Sequence, residues 1–200
     1  QKVSASDIAH SQNGDYFEKI LSKPLFIAEQ NSAPVARGTA HHKFLQYCNF
    51  EQARASLDTE IDRLLNDGKL TQEQVDMIDR KTLNEFLSTK LIDRIIASQL
   101  VMREKRFTAR LKPSDVFDEY KGVKTDVTVI IQGAVDLAFV EDGKLVIVDY
   151  KTDRVKDITK LAGLYKKQLY LYKSAMEQSE ELTVKECILC SIHLGAYITV

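Results

Sequence analysis

The spacing of apolar residues divides the chain into a helical part and a part dominated by strands. Between Phe50 and Ser98, apolar residues recur every three or four positions, which predicts amphipathic helices. Asn66-Asp67-Gly68 ends the first of them, and Thr71 with Gln74 predicts a capping box at the start of the second. The apolar positions of the three predicted helices are Ile61, Leu64 and Leu65; Val75, Ile78 and Leu83; and Leu87, Leu91, Ile95 and Ile96. They predict a helical subdomain packed beside a sheet, with an all-helical regulatory module as the alternative.

Strand-like runs dominate the rest of the chain. The predicted elements are a strand from Arg103 to Leu111, a loop over 112–124, a strand region over 127–140 that leads into a hairpin, a helix from Ile158 to Gln178, a buried strand from Val184 to Leu194 and the start of another at Tyr197. Within the strand region, Gln132-Gly133 predicts a bend or bulge between two strand portions.

The hairpin organises the rest of the chain. Two apolar runs, Ile130–Val140 and Lys144–Tyr150, are separated by Asp142-Gly143. An Asp-Gly pair between such runs predicts a two-residue turn, because a type I′ turn needs a positive φ at both central residues. In that register Glu141 pairs with Lys144.

The same register brings charged side chains together at the open end of the hairpin. Asp136 lies opposite Asp149, and Lys151 lies opposite Ala134. Opposed residues have Cα atoms roughly 4.5 to 5.5 Å apart, and alternation places Asp136, Asp149 and Lys151 on one face. Two carboxylates this close repel each other unless a cation such as Mg²⁺, which prefers oxygen ligands, relieves the repulsion. The alternative is a salt-bridged patch at a sheet edge.

The predicted helix over 158–178 carries a polar residue within its apolar face. At 100° per residue, that face comprises Leu161, Leu164, Tyr165, Gln168, Tyr172 and Ala175. A buried glutamine needs hydrogen-bond partners, because an unpaired buried amide costs on the order of 1 to 3 kcal/mol. Gln168 and Tyr172 are therefore either a site pair or a core tyrosine beside a glutamine satisfied by the backbone.

Asp136 followed by Asp149-Tyr150-Lys151 resembles the D…(D/E)xK core of the restriction-endonuclease-like nucleases. More narrowly, GAVDLAF, LVIVDYKTD and QLYLY resemble the RecB-type nuclease domain of the PD-(D/E)xK superfamily, in particular the C-terminal nuclease domain of AddA-type helicase–nucleases. The resemblance implies an α/β fold with a mixed central sheet flanked by helices and a helical N-terminal subdomain. It implies a lead-in over 1–35, then a nuclease domain with a helical part over 36–98 and a catalytic core over 99–200.

The resemblance also assigns roles outside the hairpin. The segment from Gly38 to Gln46 matches the family pattern G-T-x-x-H-x-x-x-Q, in which the histidine, His42, lies near the metal. Glu104 falls in an R-E-x-x-F signature near the active site. Without the resemblance, His42 would be interpreted as an ordinary helix histidine, and Glu104 would be interpreted as a solvated charge at a strand edge. The implied roles are catalysis for Asp136, Asp149, Lys151 and Glu104; metal binding for His42, Asp136, Asp149 and the carbonyl of Tyr150; and DNA binding for Gln168, Tyr172 and Arg154.

The function implied by the resemblance is Mg²⁺-dependent hydrolysis of DNA phosphodiester bonds, with Mn²⁺ as a substitute. The implied setting is a cytoplasmic helicase–nuclease for double-strand-break repair, whose helicase portion feeds single-stranded ends to this domain and which pairs with a second helicase–nuclease subunit. One alternative is a stand-alone or CRISPR-associated RecB-like exonuclease. The other is a DNA-binding scaffold that has lost catalysis, against which the intact Asp136, Asp149 and Lys151 argue.

Composition changes this picture in one respect. Lys and Arg number 28 against 29 Asp and Glu, so net charge gives no support for a nucleic-acid partner. Any contact with DNA must come from a local patch, from metal or from a partner. No apolar run approaches the roughly 18 residues of a membrane span.

Cysteines and the N-terminal residues complete the sequence predictions. Three cysteines fit a reducing compartment, and Cys187 with Cys190 are predicted to be small core residues of a buried strand. Residues 1–35 are predicted to be a connector from a preceding part of a longer protein, with a helix from Ser6 to Leu21 and an irregular segment between Pro24 and Pro34.

Overall fold

The computed structural model describes residues 2–4, 33–117, 120–122 and 127–200. Its strands are β1 (Lys2–Ser4), β2 (Val101–Leu111), β3 (Val129–Glu141), β4 (Lys144–Lys151), β5 (Val184–Ser191) and β6 (Ala196–Thr199). Its helices are α1 (Ala33–Tyr47), α2 (Phe50–Ala55), α3 (Leu57–Asn66), α4 (Gln72–Met77), α5 (Arg80–Leu87), α6 (Lys90–Ala97), α7 (Pro113–Val116) and α8 (Ile158–Glu180).

The helices α1–α6 form one layer, which we call the N-terminal layer. The ends of these helices obey the predicted local signals: Gly68, with a φ of +67°, follows α3, and Thr71 and Gln74 form a capping box at the start of α4. The layer is held by one apolar core, whose largest fully buried residues include Phe44, Leu45, Ile61, Leu64, Leu83, Phe86, Leu91 and Ile92.

The number of helices in this layer differs from the prediction. Three continuous helices were expected over residues 50–98, whereas the structure has five, α2–α6. The apolar spacing continues across the breaks, so periodicity alone could not reveal them. Ile78 has an extended backbone, and Asp79 starts α5 by accepting a 3.2 Å hydrogen bond from the N–H of Thr82. Thr89 is extended before α6, and its hydroxyl donates to the carbonyl of Phe86.

The strands form a mixed sheet in the order β2–β3–β4–β5–β6, in which only β4 and β5 are parallel neighbours. The short strand β1 also pairs with β3, in parallel, along Ile130–Gln132. Since β2 occupies one edge of β3, β1 and β4 must share the other edge, where β4 pairs with Leu137–Glu141. Between β1 and β4, none of the described strands pairs with residues 133–136 on this edge of β3.

Helices cover both faces of the sheet. The N-terminal layer packs on one face, against β-strand residues that include Leu137, Phe139, Val146, Val148 and Ile188. Helix α8 packs on the other face, against residues that include Ile131, Val135, Ala138, Ile147 and Leu189. The predicted α/β class, with a mixed central sheet flanked by helices, is therefore confirmed.

Two neighbouring strands change face at the same level of the sheet. On β3, Val135 packs towards α8, yet Leu137 packs against the N-terminal layer. Strict alternation would place both side chains on one face. On β2 the same change occurs between residues 103 and 107. Glu104 and Asp136 lie opposite each other at this level, and the β2–β3 pairing is interrupted there.

The predicted bend at Gln132-Gly133 is wrong, because β3 runs without interruption from Val129 to Glu141. Gly133 serves a different purpose. A Cβ atom at this position would lie 2.8 Å from Cζ of Phe107, so the absent side chain leaves room for the aromatic ring on β2.

The core prediction for the two strand cysteines is confirmed, because Cys187 and Cys190 are free and buried. Cys187 packs on the α8 side and Cys190 on the N-terminal side, as expected for strand residues three positions apart. This placement separates the two thiols across the sheet.

The N-terminal predictions are only partly covered by the described residues. The predicted helix from Ser6 to Leu21, and Pro24, lie outside them. Pro34 lies in the first turn of α1, which begins at Ala33, so the predicted C-terminal boundary of the irregular segment is wrong. Strand β1 joins the sheet, while the division of the chain at residue 35 stays a prediction. Among the described helices, none has the length and apolar character needed to cross a membrane.

One ion-pair network ties α6 to the hairpin and predicts acid sensitivity. Glu141 accepts hydrogen bonds of 2.8 and 2.7 Å from Arg94 and 2.7 Å from Lys185, and these hydrogen bonds lower its pKa from 4.5 to about 2. A carboxylate whose pKa is lower in the folded chain than in the unfolded chain stabilises the fold above pH 4.5. This contribution to the free energy of unfolding is lost as the pH falls towards 2.

We therefore expect Glu141→Gln to lower the free energy of unfolding by on the order of 1 kcal/mol at pH 7. The difference from the unmodified chain should shrink as urea titrations are moved from pH 4.5 towards pH 2. Asp58→Asn, which removes an exposed partner of Arg80, is the matched control and should show a smaller effect. A Glu141 difference that stays constant with pH would contradict the electrostatic explanation.

Candidate active site

The site lies where β4 separates from β3. The two strands pair in the predicted register, from Glu141 with Lys144 to Leu137 with Val148, and the turn residues Asp142 and Gly143 have φ values of +52° and +71°. The next opposed residues, Asp136 and Asp149, are not paired through their backbones. Instead, the backbone N–H of Tyr150 donates a 2.7 Å hydrogen bond to Oδ2 of Asp136. The carboxylate thus replaces a lost backbone acceptor at the point of separation.

Three potential metal ligands converge beside this hydrogen bond. One ligand atom from each of His42, Glu104 and Asp136 lies within 4.8 Å of the others, and Nδ1 of His42 is 3.5 Å from Oδ1 of Asp136. Helix α1 can bring His42 this close because Gly38 has no side chain. A Cβ atom at Gly38 would lie 2.8 Å from Oγ1 of Thr152, just beyond β4.

Glu104 reaches the cluster through an unusual backbone conformation. Its φ is +48°, in the middle of β2, where a residue with a side chain costs about 1–2 kcal/mol. This left-handed residue lies at the level where β2 and β3 change face. Strained residues of this kind concentrate at functional sites, where the surrounding fold enforces them.

Electrostatics in the cluster favour an ionised Asp136 beside a protonated His42. Burial by itself raises the pKa of Asp136, but the charge and hydrogen bond of His42, the N–H of Tyr150 and the charge of Lys151 together lower it. Burial lowers the pKa of His42, but the negative charges of Asp136 and Asp149 outweigh it and raise that pKa. For Glu104, burial first and then the charge of Asp136 raise the pKa. A cation placed among these groups would displace the His42 proton and relieve the repulsion.

Asp149 and Lys151 form a second centre on the α8 face of β4. Asp149 is 1% exposed, and its Oδ2 lies 2.8 Å from Nζ of Lys151, as an ion pair without hydrogen-bond geometry. Burial raises the pKa of Asp149 to about 6, against the opposing charge of Lys151. The prediction that Asp136, Asp149 and Lys151 share one face holds for Asp149 and Lys151 only. Asp136 turns towards His42 instead, because β3 changes face at this level.

The Lys151 ammonium is held from three sides. Besides Asp149, it donates a 3.0 Å hydrogen bond to Oε1 of Gln168 and lies 4.2 Å from the centre of the Tyr165 ring. Gln168 in turn donates a 2.8 Å hydrogen bond from Nε2 to the hydroxyl of Tyr172. Both Gln168 and Tyr172 are buried, so the two side chains form a polar support under Lys151.

Comparison with known proteins agrees with this geometry. The sequence pattern of the PD-(D/E)XK nuclease superfamily matches residues 16–195. The chain belongs to this nuclease superfamily. It is 30% identical over 211 residues to a protein from Clostridium botulinum strain 657 that is named as a subunit of an ATP-dependent helicase/nuclease, covering 100% of the chain and 16% of that relative. It is 29% identical over 204 residues to the protein of the same name from Clostridium acetobutylicum, covering 96% of the chain and 16% of the relative. The chain thus spans only a small share of these relatives.

The superfamily's chemistry requires a divalent metal ion, and the residues present fit one. Asp136 and Glu104 offer carboxylate oxygens, which Mg²⁺ and Mn²⁺ prefer, and His42 offers an imidazole nitrogen. The buried Oδ2 of Asp149 is paired with the Lys151 ammonium and has no donor in hydrogen-bond geometry among the described residues.

The structure brings most of the predicted site residues together. Glu104 belongs to the ligand cluster itself, whereas Asp149 lies outside that cluster and faces Lys151. Tyr150 contributes its N–H, and coordination by its carbonyl stays a prediction. Arg154 is exposed beyond β4, at the mouth of a separate cleft. The burial of Gln168 favours support of Lys151 over direct contact with DNA, which also stays a prediction.

Besides Asp136, one further residue is misplaced by the sequence prediction, and two others are missed. Leu164 was assigned to the buried face of α8 but is 53% exposed. Tyr165, treated only as an apolar residue, contacts Lys151, and its place three residues before Gln168 was the available signal. His41, treated as an ordinary neighbour, is 3% exposed and links two helices: its Nδ1 pairs with the carbonyl of Arg37 and its Nε2 accepts the N–H of Asp79.

The conformation of Glu104 yields a stability prediction. Glu104→Asn and Glu104→Gln both remove the charge that Asp136 repels, but Asn adopts a positive φ more readily than Gln. We expect the Asn variant to be more stable than the Gln variant by about 1 kcal/mol, measured by urea unfolding in the presence of a chelator. Equal stabilities would show that the backbone at this position stores no strain.

Proposed function

We propose that this chain hydrolyses phosphodiester bonds in DNA in a reaction that depends on Mg²⁺, for which Mn²⁺ can substitute. The observation that carries the proposal is the meeting of two centres at the separation of β3 and β4. One is the ligand cluster of His42, Glu104 and Asp136, and the other is the ion pair of Asp149 and Lys151. Membership of a nuclease superfamily supports the reaction class.

In the proposed site, Asp136 and Asp149 hold the metal ion, with His42 and the Tyr150 carbonyl as further ligands and Glu104 beside them. When bound, the ion supplies Lewis-acid polarisation of the phosphoryl oxygen and lowers the pKa of a coordinated water. Attack of water on phosphorus breaks the bond to the leaving oxygen and concentrates negative charge on the phosphoryl oxygens. Lys151, held as an ammonium, donates a hydrogen bond to the attacking water or to that developing charge.

The cellular setting is part of the same proposal. Relatives named as subunits of a helicase/nuclease support an origin in a larger chain whose helicase portion delivers single-stranded DNA ends. We further propose a role in double-strand-break repair, a cytoplasmic location and pairing with a second helicase–nuclease subunit. The names of these relatives disfavour a stand-alone or CRISPR-associated exonuclease. The intact charged centres disfavour a scaffold without catalysis.

Replacing one carboxylate tests both metal binding and cleavage. We expect Asp136→Asn to lower the rate of Mn²⁺-dependent cleavage of a single-stranded oligonucleotide by about 10²- to 10³-fold. We also expect Mn²⁺ to raise the melting temperature of the unmodified chain and not that of the variant, because a ligand stabilises only the state that binds it.

The control is Asp142→Asn, which makes the same chemical change at the hairpin turn, where Asn also tolerates the positive φ. It should cleave DNA and respond to Mn²⁺ like the unmodified chain. Equal melting shifts in the Asp136 variant and the control would place the metal elsewhere, and unchanged cleavage would remove Asp136 from the mechanism.

The ring of Tyr165 provides a second test, because it contacts the Lys151 ammonium while its hydroxyl is 3.3 Å from both carboxylate oxygens of Asp153. Tyr165→Phe keeps the ring and should retain near-normal kcat. Tyr165→Leu removes the cation–π contact, worth about 1–2 kcal/mol when desolvated, and should lower kcat about tenfold with little change in KM. If the Phe and Leu variants are equally impaired, the hydroxyl or the packing matters and the ring face does not.

A further inference from the structure

A cleft beside the site is lined by two arginines that form no ion pair within the described part of the chain. Its walls come from α1, the start of α5, the segment after β4 and the turn after β5, and its lining includes Arg37, Thr152, Arg154 and His193. The metal cluster and Lys151 use none of these side chains. Lys151 immediately precedes Thr152, so the cleft begins next to the proposed catalytic lysine.

Four arginine side chains lack a partner within the described part of the chain, and two of them line this cleft. Arg54, Arg63, Arg80 and Arg94 form ion pairs with carboxylates, and Arg103 donates to three backbone carbonyls. Within the described residues, the guanidinium groups of Arg37, Arg106, Arg110 and Arg154 have neither an ion pair nor a hydrogen-bond acceptor, and Arg37 and Arg154 are the two that line the cleft. The carboxylate of Asp79 also lines the cleft, where its Oδ1 accepts the N–H of Thr82 at the start of α5. It places one negative charge beside the two guanidinium groups.

The cleft is built from firmly held backbone. Gly38 brings α1 against Thr152, since a Cβ there would lie 2.8 Å from the threonine hydroxyl. The N–H of Ile192 donates a 2.9 Å hydrogen bond to the carbonyl of Lys151, which sets the turn carrying His193 beside the end of β4. At the back of the cleft, His41 bridges the Arg37 carbonyl and the N–H of Asp79. The two arginines therefore project from elements whose separation is fixed.

We propose that this cleft binds a backbone phosphate of the nucleic-acid strand next to the phosphate that is cleaved. Guanidinium groups bind phosphate through paired N–H donors, and a threonine hydroxyl and an imidazole are suitable additional donors. Such contacts hold the strand in register without reading its sequence. The inference rests on the proposed nuclease function and adds Arg37 and His193 to Arg154 as strand-positioning residues.

The test measures binding of a fluorescent single-stranded oligothymidylate by anisotropy, with a chelator present so that no cleavage occurs. Arg37→Gln and Arg154→Gln should each weaken binding severalfold and reduce the slope of log affinity against log salt concentration by about 0.7, the value for one lost phosphate contact on a single strand. Arg110→Gln is the matched control, because Arg110 is exposed near the far end of β2 and lies outside the cleft. It should leave the slope unchanged.

A second measurement identifies the phosphate. One linkage of the oligonucleotide is replaced by an uncharged methylphosphonate, and its position is moved along the strand. At one position the unmodified chain should lose affinity, and Arg37→Gln and Arg154→Gln should show no further loss there. Additive losses at every position would overturn the cleft as the binding site.

Cleavage of the same oligonucleotide with Mn²⁺ distinguishes failure of the cleft proposal from failure of the proposed nuclease function. If the unmodified chain cleaves but the glutamine variants match it in affinity and salt slope, the cleft proposal fails and the nuclease function stands. If the unmodified chain neither binds nor cleaves, the proposed function fails and the cleft proposal fails with it.

Discussion

The hydrogen bond from the N–H of Tyr150 to the carboxylate of Asp136 is the constraint on which the site depends. Where β4 leaves β3, a backbone N–H loses its partner on the neighbouring strand, and an unpaired buried donor would cost about 1–3 kcal/mol. The Asp136 side chain accepts this donor with one oxygen. Its other oxygen, Oδ1, faces His42. One carboxylate thus stabilises the opening of the sheet and belongs to the cluster of potential ligands.

The separation of the strands also explains why the charged groups divide into two centres. Because β2 and β3 change face at Glu104 and Asp136, these carboxylates turn towards α1 and His42. Asp149 and Lys151 lie on β4, whose side chains alternate without a change of face, and they stay on the α8 face with Gln168. In the proposed reaction the two centres act together: Asp136 and Asp149 would hold the metal ion, and Lys151 would donate to the water or the phosphate. If β3 and β4 stayed paired and their side chains alternated strictly, all of these charged groups would lie on one face of the sheet.

The sequence predicted the features that local chemistry determines and missed those that tertiary contacts determine. The Asp142-Gly143 turn set the hairpin register, and the capping box of Thr71 was also correct, because both rely on neighbouring residues. The helix breaks at Ile78 and Thr89 were invisible, because apolar spacing continues through them. Gly133 suggested a bend, but its reason is the Phe107 ring on another strand.

The same distinction applies to the site. The resemblance to RecB-type nucleases named Asp136, Asp149 and Lys151, and the structure places them at one opening of the sheet. No sequence pattern shows that Glu104 has a positive φ or that the Tyr165 ring lies beside the Lys151 ammonium, because both follow from how separate elements pack.

Charge balance over the whole chain is a poor guide to its partner for a physical reason. Fields from exposed charges are screened over about 8 Å at physiological salt, so a strand of DNA responds to the residues beside it. Residues 151–173 contain seven basic and two acidic residues, whereas the overall totals are 28 and 29. Many of the remaining acidic groups neutralise arginines in the N-terminal layer, as Asp93 does for Arg54. The near-zero net charge therefore coexists with a locally positive segment that starts at the proposed catalytic lysine.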